Sequence, residues 1–278
     1  MKKFKVGLQL YSVRDKMEAD MEKTLKAVKE MGYDYVEFAG YFGKTAEEVK
    51  FLLDKYELEC VSVHQTYDVF LEKPEENLNY LKTVGTKYCA IPWMSPKNQK
   101  GTPAFDKSVE EIKTISKLLK DNGIQMLYHN HDFEFEMYED KYLLDWLYET
   151  VGLEFLKPEI DTCWVKYAGE DPCTYLEKYS GHSDVVHLKD FVCKEFANGP
   201  VYALIDNAGK ENAPKKSKED NDFKFKYVGG GLQNFEEILV SAEKAGAEYI
   251  IVEQDEWYDD DSLELAKKSR EYLMSLGI

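Results

Sequence analysis

Short apolar runs alternate along this chain with longer stretches whose apolar positions recur at helical spacing. Eight runs read as buried strands: Lys5 to Leu10, Tyr35 to Ala39, Cys60 to His64, Tyr88 to Pro92, Gln125 to His129, Pro158 to Thr162, Asp184 to Lys189 and Tyr249 to Gln254. Between them, sets such as Met21, Leu25, Val28 and Met31, or Val109, Ile112, Ile115 and Leu119, trace one apolar helix face. Gly32, Gly85, Gly123 and Gly246 each follow such a stretch and precede the next strand, where a helix C-cap favours positive φ. Repeated strand-helix units predict a parallel α/β sheet. Eight of them predict closure into a single (β/α)8 TIM barrel over residues 1–278, with a doubly wound open sheet as the alternative.

One interval breaks the rhythm. Residues 193–227 separate the seventh and eighth runs, and Gly209 to Asp222 is dominated by Lys, Glu, Asp and Asn, with little to bury. This polar excursion reads either as a cover over the catalytic end or as a surface insertion with no role. The Gly229-Gly230-Gly231 run beyond it would let the backbone approach a ligand closely.

Composition narrows the class. At 278 residues and 44% hydrophobic, the chain suits one barrel with one large core. A formal net charge of -17 argues against a nucleic-acid backbone or an anionic membrane as the main partner, since both attract basic surfaces. Five cysteines, an odd number without a C-x-x-C pair, indicate neither a disulfide framework nor a zinc knuckle, and point to a reducing compartment. Met1-Lys2-Lys3 runs straight into a strand, and no stretch is long enough to span a bilayer, so the expected location is cytoplasmic.

A barrel builds its active site at the C-terminal ends of its strands, where the loops converge. Those ends carry His64, His129 with His131, Asp161, His187 with Lys189, and Glu253. Residues two apart share a face, so His129 pairs with His131 and His187 with Lys189, while Leu188 turns toward the helices. Of five histidines only His182 lies elsewhere, in a polar turn. An unpaired carboxylate closing an apolar run is costly, and a cation removes that cost. Mixed imidazole and carboxylate donors suit one divalent metal, Mn²⁺ first and Zn²⁺, Co²⁺ or Fe²⁺ as alternatives.

His64, His131 and Glu253 are candidate bases. Lys189 either donates to or holds a developing oxyanion, or forms a salt bridge with Asp190 or Asp161. Trp93, Trp164 and Trp257, all just beyond strand ends, offer faces on which a sugar could stack, and Glu134 is a further candidate for substrate binding. Arg14 and Arg270 are the only arginines, and only Arg14 is near a strand end, so the expected substrate is an unphosphorylated sugar, cyclitol or keto-sugar.

Glu159-Ile160-Asp161-Thr162-Cys163-Trp164, His187-Leu188-Lys189-Asp190 and the strand-end Glu253 resemble, in order and spacing, the sugar phosphate isomerase/epimerase superfamily of xylose-isomerase-like barrels. The resemblance runs from Gly7-Leu8-Gln9-Leu10-Tyr11-Ser12 to Glu253. It implies a metal held by Asp161, His187 and Glu253, and a reaction by proton removal next to a carbonyl through a metal-stabilised enediolate. Many such barrels carry a glutamate where this chain has His129. Three outcomes stay open: His129 as fourth ligand, preferred on position; Glu134 swinging in from the loop; or three side chains and water. Trp164 stands where the DNA-cleaving branch continues to a histidine, and that branch needs further histidines that this chain lacks. The implied activity is a metal-dependent isomerase or epimerase. A dehydratase or lyase of keto-sugars or inosose comes second and a non-catalytic sugar-binding barrel third. Members are often homo-oligomers.

Overall fold

The computed structural model describes residues 4–196 and 221–278. Eight strands close a parallel barrel: β1 (Lys5–Gln9), β2 (Tyr35–Phe38), β3 (Glu59–His64), β4 (Tyr88–Ile91), β5 (Gln125–His129), β6 (Lys157–Asp161), β7 (Val185–Leu188) and β8 (Tyr249–Val252). Each hydrogen-bonds to its sequence neighbours, and β8 closes on β1 with Gly7 opposite Ile251. The open sheet is thereby excluded, and every expected strand is present to within one or two residues.

The helices between strands form where the apolar spacing places them. The longest, Phe105–Lys120, buries Val109, Ile112, Ile115 and Leu119 on one face. Met21–Glu30 starts on the Asp20 side chain, which accepts from Lys23 N–H, and buries Leu25 and Val28. Gly85 and Gly246 cap their helices in the left-handed conformation, as their positions led one to expect.

Alternation along the strands creates two shells. Val36, Phe38, Val63, Ile160, Val186, Leu188, Ile250 and Val252 face the helices in the main core. Val61, Tyr88, Ala90, Leu127, Val185, Tyr249 and Ile251 fill the barrel axis, with Tyr35 packed against them. Gly7 belongs to this inner layer because a Cβ there would lie 2.7 Å from Ile251 Cδ1 and 3.1 Å from Tyr35 O. At the N-terminal end Tyr249 meets Tyr35 and Tyr88 edge-on, and its hydroxyl accepts from Lys87 Nζ at 2.7 Å. The axis is therefore apolar below and becomes polar only toward the C-terminal ends, where the chemistry must sit.

Two short antiparallel pairs are added at the loop end, Met137–Tyr138 with Lys141–Tyr142 and Asp190–Val192 with Lys224–Lys226. The second pair joins the ends of the polar excursion. Its middle, residues 197–220, lies outside the described residues, and with it most of Gly209 to Asp222. Among the described residues no helix is long and apolar enough to cross a membrane.

Candidate metal centre at the strand ends

Neighbouring strand ends are stitched together by side chains that carry on where the ladder stops. Asn130 accepts from Asp161 N–H at 3.0 Å and donates to Asp161 O, tying β5 to β6. Thr162 Oγ1 donates to His187 O at 3.0 Å, and Gln233 Nε2 donates to both Thr162 Oγ1 and Lys189 O. Ser12 Oγ accepts from Gln254 N–H, joining the β8 end to the β1 end. These bonds fix the backbone from which the polar side chains project.

His129, Asp161, His187 and Glu253 each bring a ligand atom to one point, all within 4.8 Å of one another and all four side chains buried. His129 Nε2 lies 3.3 Å from Asp161 Oδ2 and 3.4 Å from Glu253 Oε2. His187 Nδ1 lies 2.9 Å from the same Glu253 oxygen. Asp161 divides its carboxylate: Oδ1 accepts from Cys163 N–H and Trp164 N–H at the start of helix Thr162–Tyr167, leaving Oδ2 for the centre. Both ring nitrogens of His129 and Asp161 Oδ2 are buried without a hydrogen bond among the described residues. Buried polar atoms normally find partners, so donors left open around one point fit a divalent cation. Imidazole and carboxylate together are the donor set of Zn²⁺ and Mn²⁺ centres.

Lys189 enters the same centre from β7. Its ammonium is 3.1 Å from Asp161 Oδ2, 3.0 Å from Glu253 Oε2 and 3.1 Å from Asp255 Oδ1, above the Trp164 ring at 5.2 Å. Burial works against the charge, but Asp161, Asp255 and Glu253 hold the amine well above its ordinary value. Of the two salt bridges weighed from the sequence, the one to Asp161 forms. Asp190 turns away and accepts from Phe191, Gly229, Gly231 and Gln233 N–H.

A further layer, one step down the axis, was missed by the sequence reading. Glu37 of β2 and Glu159 of β6 meet His64 and His187: His64 Nε2 to Glu159 Oε2 is 2.8 Å, and His187 Nε2 to Glu37 Oε2 is 2.7 Å. Gln9 Nε2 donates to Glu37 Oε2 at 2.9 Å. Burial lowers the His64 imidazole, but Glu37 and Glu159 overcome this and bring it to about 10. His187 is raised well above its ordinary value by the same two carboxylates, again against burial. Burial and the like charge of Glu37 push Glu159 up, while the two histidines hold Glu37 well below the usual carboxylate range against its own burial. A signal for Glu159 existed: it stands two residues before Asp161 and so shares its face. Glu37, a lone acid inside the apolar strand Tyr35–Phe38, was legible in the same way.

Other expectations are corrected. Glu134 does not reach the centre, because Oε1 bonds the Tyr128 hydroxyl at 2.6 Å and Oε2 accepts from His131 N–H at 2.8 Å. Trp164 is fully buried and already stacked on Phe223, with ring centroids 5.8 Å apart and planes 8° apart, so that face is not open to a sugar. Trp257 lies with its ring 4.3 Å from the Arg14 guanidinium, which Tyr11 flanks at 4.0 Å. Trp93 is exposed and lines a separate cavity of about 390 Å³ with Tyr67, Ser95 and Asn98. No hydrogen bond, ion pair or ring contact among the described residues joins Trp93 or Trp257 to the centre. Two of the three glycines at 229–231, Gly229 and Gly231, donate to Asp190, and a Cβ on Gly231 would lie 2.3 Å from Asp190 Oδ1 and 2.4 Å from Phe191 O. His131 is buried next to His129, with ring centroids 5.0 Å apart, and is stacked on Phe133. Burial, together with the positive charge of His129 and Lys189, keeps its imidazole well below the ordinary value and therefore neutral.

Comparison with known proteins agrees with this fold. The family model for the xylose isomerase-like TIM barrel matches residues 25–276, and the chain belongs to that family. A sugar phosphate isomerase/epimerase from Parabacteroides distasonis superposes with a TM-score of 0.73 at 21% identity, covering 98% of each chain. The probable 3-DHS dehydratase AsbF of Bacillus anthracis gives a TM-score of 0.70 at 14% identity, over 97% of this chain and 98% of that one. The IOLI protein, solved with a bound zinc atom, gives 0.70 at 13% identity, over 98% of this chain and 97% of that one. At these identities the three structures share the fold. No curated protein matches the chain.

Proposed function

We propose that this member of the xylose isomerase-like TIM barrel family is a divalent-metal-dependent isomerase or epimerase of unphosphorylated sugars, keto-sugars or cyclitols, working by proton removal next to a carbonyl. The observation that carries this reading is the convergence of His129, Asp161, His187 and Glu253 on one buried point, where His129 and Asp161 keep donor atoms without a hydrogen bond among the described residues. A cation held there would polarise a carbonyl and the neighbouring hydroxyl oxygen and so acidify the C–H between them.

The remaining roles follow from charge. Lys189 stays protonated among three carboxylates, so it suits the holding of a developing oxyanion and not the removal of a proton. His131 is the neutral imidazole of the group and so the one able to accept a proton, although as a weak base. His64, brought to about 10 by Glu37 and Glu159 against its burial, suits proton donation instead, which revises its expected role as a base. Arg14 lies between Tyr11 and Trp257 and donates to Tyr11 O; engaged in this way, it supports the unphosphorylated substrate.

Loss of water is the second reading, and the presence of two protonated donors, His64 and Lys189, is what favours it. A hydroxyl leaves more readily when a donor faces it. Incubation with keto-hexoses and inososes in D₂O with Mn²⁺, followed by NMR, tests both readings. Deuterium next to the carbonyl with mass otherwise conserved supports isomerisation or epimerisation. Loss of 18 Da, one water, supports the lyase. Exchange that survives chelation, or that survives in Asp161→Asn, overturns the metal-dependent mechanism.

A further inference from the structure

The layer beneath the catalytic centre has ligands of its own. Glu37, His64, Glu159 and His187 come from β2, β3, β6 and β7, and each offers one donor atom within 4.8 Å of the others. The side chains of Glu37, Glu159 and His187 are 0% exposed and that of His64 is 8% exposed. Among the described residues neither carboxylate has a lysine or arginine partner. Their ion pairs are with His64 and His187 alone, at 3.4 and 2.8 Å for His64 and 2.7 and 3.6 Å for His187. Two carboxylates held out of water beside each other repel, and proton-bearing imidazoles relieve that only in part.

The angles add to the distances. His64 Nε2 and Glu159 Oε2 have hydrogen-bond geometry. His187 Nε2, although 2.7 Å from Glu37 Oε2, makes no hydrogen bond, and Glu37 Oε1 and Glu159 Oε1 are likewise without one among the described residues. A short approach at an angle that excludes N–H donation is what two ligands show when both point at a third body. Around a tetrahedral Zn²⁺ with bonds near 2.1 Å, ligand atoms are about 3.4 Å apart. The four separations from 2.7 to 3.6 Å bracket that value.

We propose that Glu37, His64, Glu159 and His187 bind a second divalent ion of the Zn²⁺ class in the barrel axis. His187 serves both centres. Its Nδ1 faces Glu253 and its Nε2 faces Glu37, so with both filled the ring is an imidazolate bridge whose two N–H protons have passed to solvent. Entry is from the His64 side, the one donor with measurable exposure. The second ion neutralises the two carboxylates and locks the ring that the catalytic centre depends on. Apart from His187, and from His64, which gives up its part as a proton donor when its Nε2 binds the ion, the ligands of this site are separate from the groups of the proposed reaction.

The test uses Zn²⁺ alone. The full chain is stripped with chelator, equilibrated with Zn²⁺, desalted and analysed for zinc beside Glu159→Gln and Asp161→Asn. Two equivalents in the native chain and one in each variant are expected. One equivalent, lost in Asp161→Asn and kept in Glu159→Gln, overturns the second site and leaves the catalytic one. One equivalent with the opposite pattern supports the second site and overturns the catalytic assignment. None overturns both, and two in every variant places the ions elsewhere and overturns the proposal. If Glu159→Gln does not fold by circular dichroism, His64→Gln, nearer the rim, takes its place with the same readings.

Discussion

The Lys189 ammonium stands 3.0 Å from Glu253 Oε2, the same oxygen that faces His187 Nδ1 at 2.9 Å and His129 Nε2 at 3.4 Å. One carboxylate oxygen is thus shared between a fixed cation of the protein and the donors proposed for a metal. The lysine and the proposed metal would belong to one electrostatic unit, and removal of either would leave buried negative charge to the other.

Lys189→Met should therefore unfold more easily, by ~3–5 kcal/mol, because Asp161, Glu253 and Asp255 lose their common partner. Turnover should fall ~10²-fold or more, as when one preorganised oxyanion donor is lost. Metal should still bind, and saturating Mn²⁺ should recover much of the lost stability. Thermal unfolding with and without Mn²⁺ checks this. Full activity in the variant would assign Lys189 to structure alone.

Metal uptake should release protons. His129 and His187 are both held above the ordinary histidine value by the surrounding carboxylates, in each case against burial, which favours their protonated forms, and a ring nitrogen must shed its proton to bind a metal. Affinity for Zn²⁺ should rise with pH, about tenfold per unit for each proton released. Calorimetry in buffers of different ionisation enthalpy counts the protons. A pH-independent affinity would mean that these nitrogens are not ligands.

Glu134 gives a stability signature of its own. Burial raises its carboxyl from 4.5 to about 8, against the bonds from Tyr128 and His131 N–H. Between these values the folded state keeps a proton that the unfolded chain has lost, so this group lowers stability as pH rises from about 4.5 to about 8. The slope is ~1.4 kcal/mol per pH unit, and above the window the full penalty remains. Glu134→Gln should remove that slope, and its advantage over the native chain should grow with pH. Denaturant titrations at pH 5, 6.5 and 8 measure the difference; parallel stabilities would refute the raised carboxyl.

The loop after the polar excursion is anchored by one carboxylate. Asp190 accepts from Gly229, Gly231 and Gln233 N–H, and Gly231 packs where a Cβ would meet Asp190 Oδ1 at 2.3 Å. Gly231→Ala should cost ~1–3 kcal/mol by overpacking. Asp190→Ala should cost ~1–3 kcal/mol for each donor left buried and unpaired. Because both changes break one contact, the double variant should be less destabilised than the sum. Simple additivity would show that the two residues act independently.

Period and punctuation in the sequence were enough for the barrel, because a strand buried against helices must be apolar and short, and a helix must repeat its apolar face every three to four residues. The same period-2 rule placed His187 and Lys189 on one face and Leu188 on the other, and the strand ends delivered His129, Asp161 and Glu253 to the loop side. Depth along the axis was not legible. The contact of His64 with Glu159 joins residues 95 positions apart, and it depends on the register of four strands around a closed barrel. Closure also set Glu37 against His187 and Asp255 against Lys189. It covered Trp164 with Phe223 and gave the glycine run to Asp190. One strand's pattern states which way a side chain points; only the registered, closed sheet fixes what it meets there.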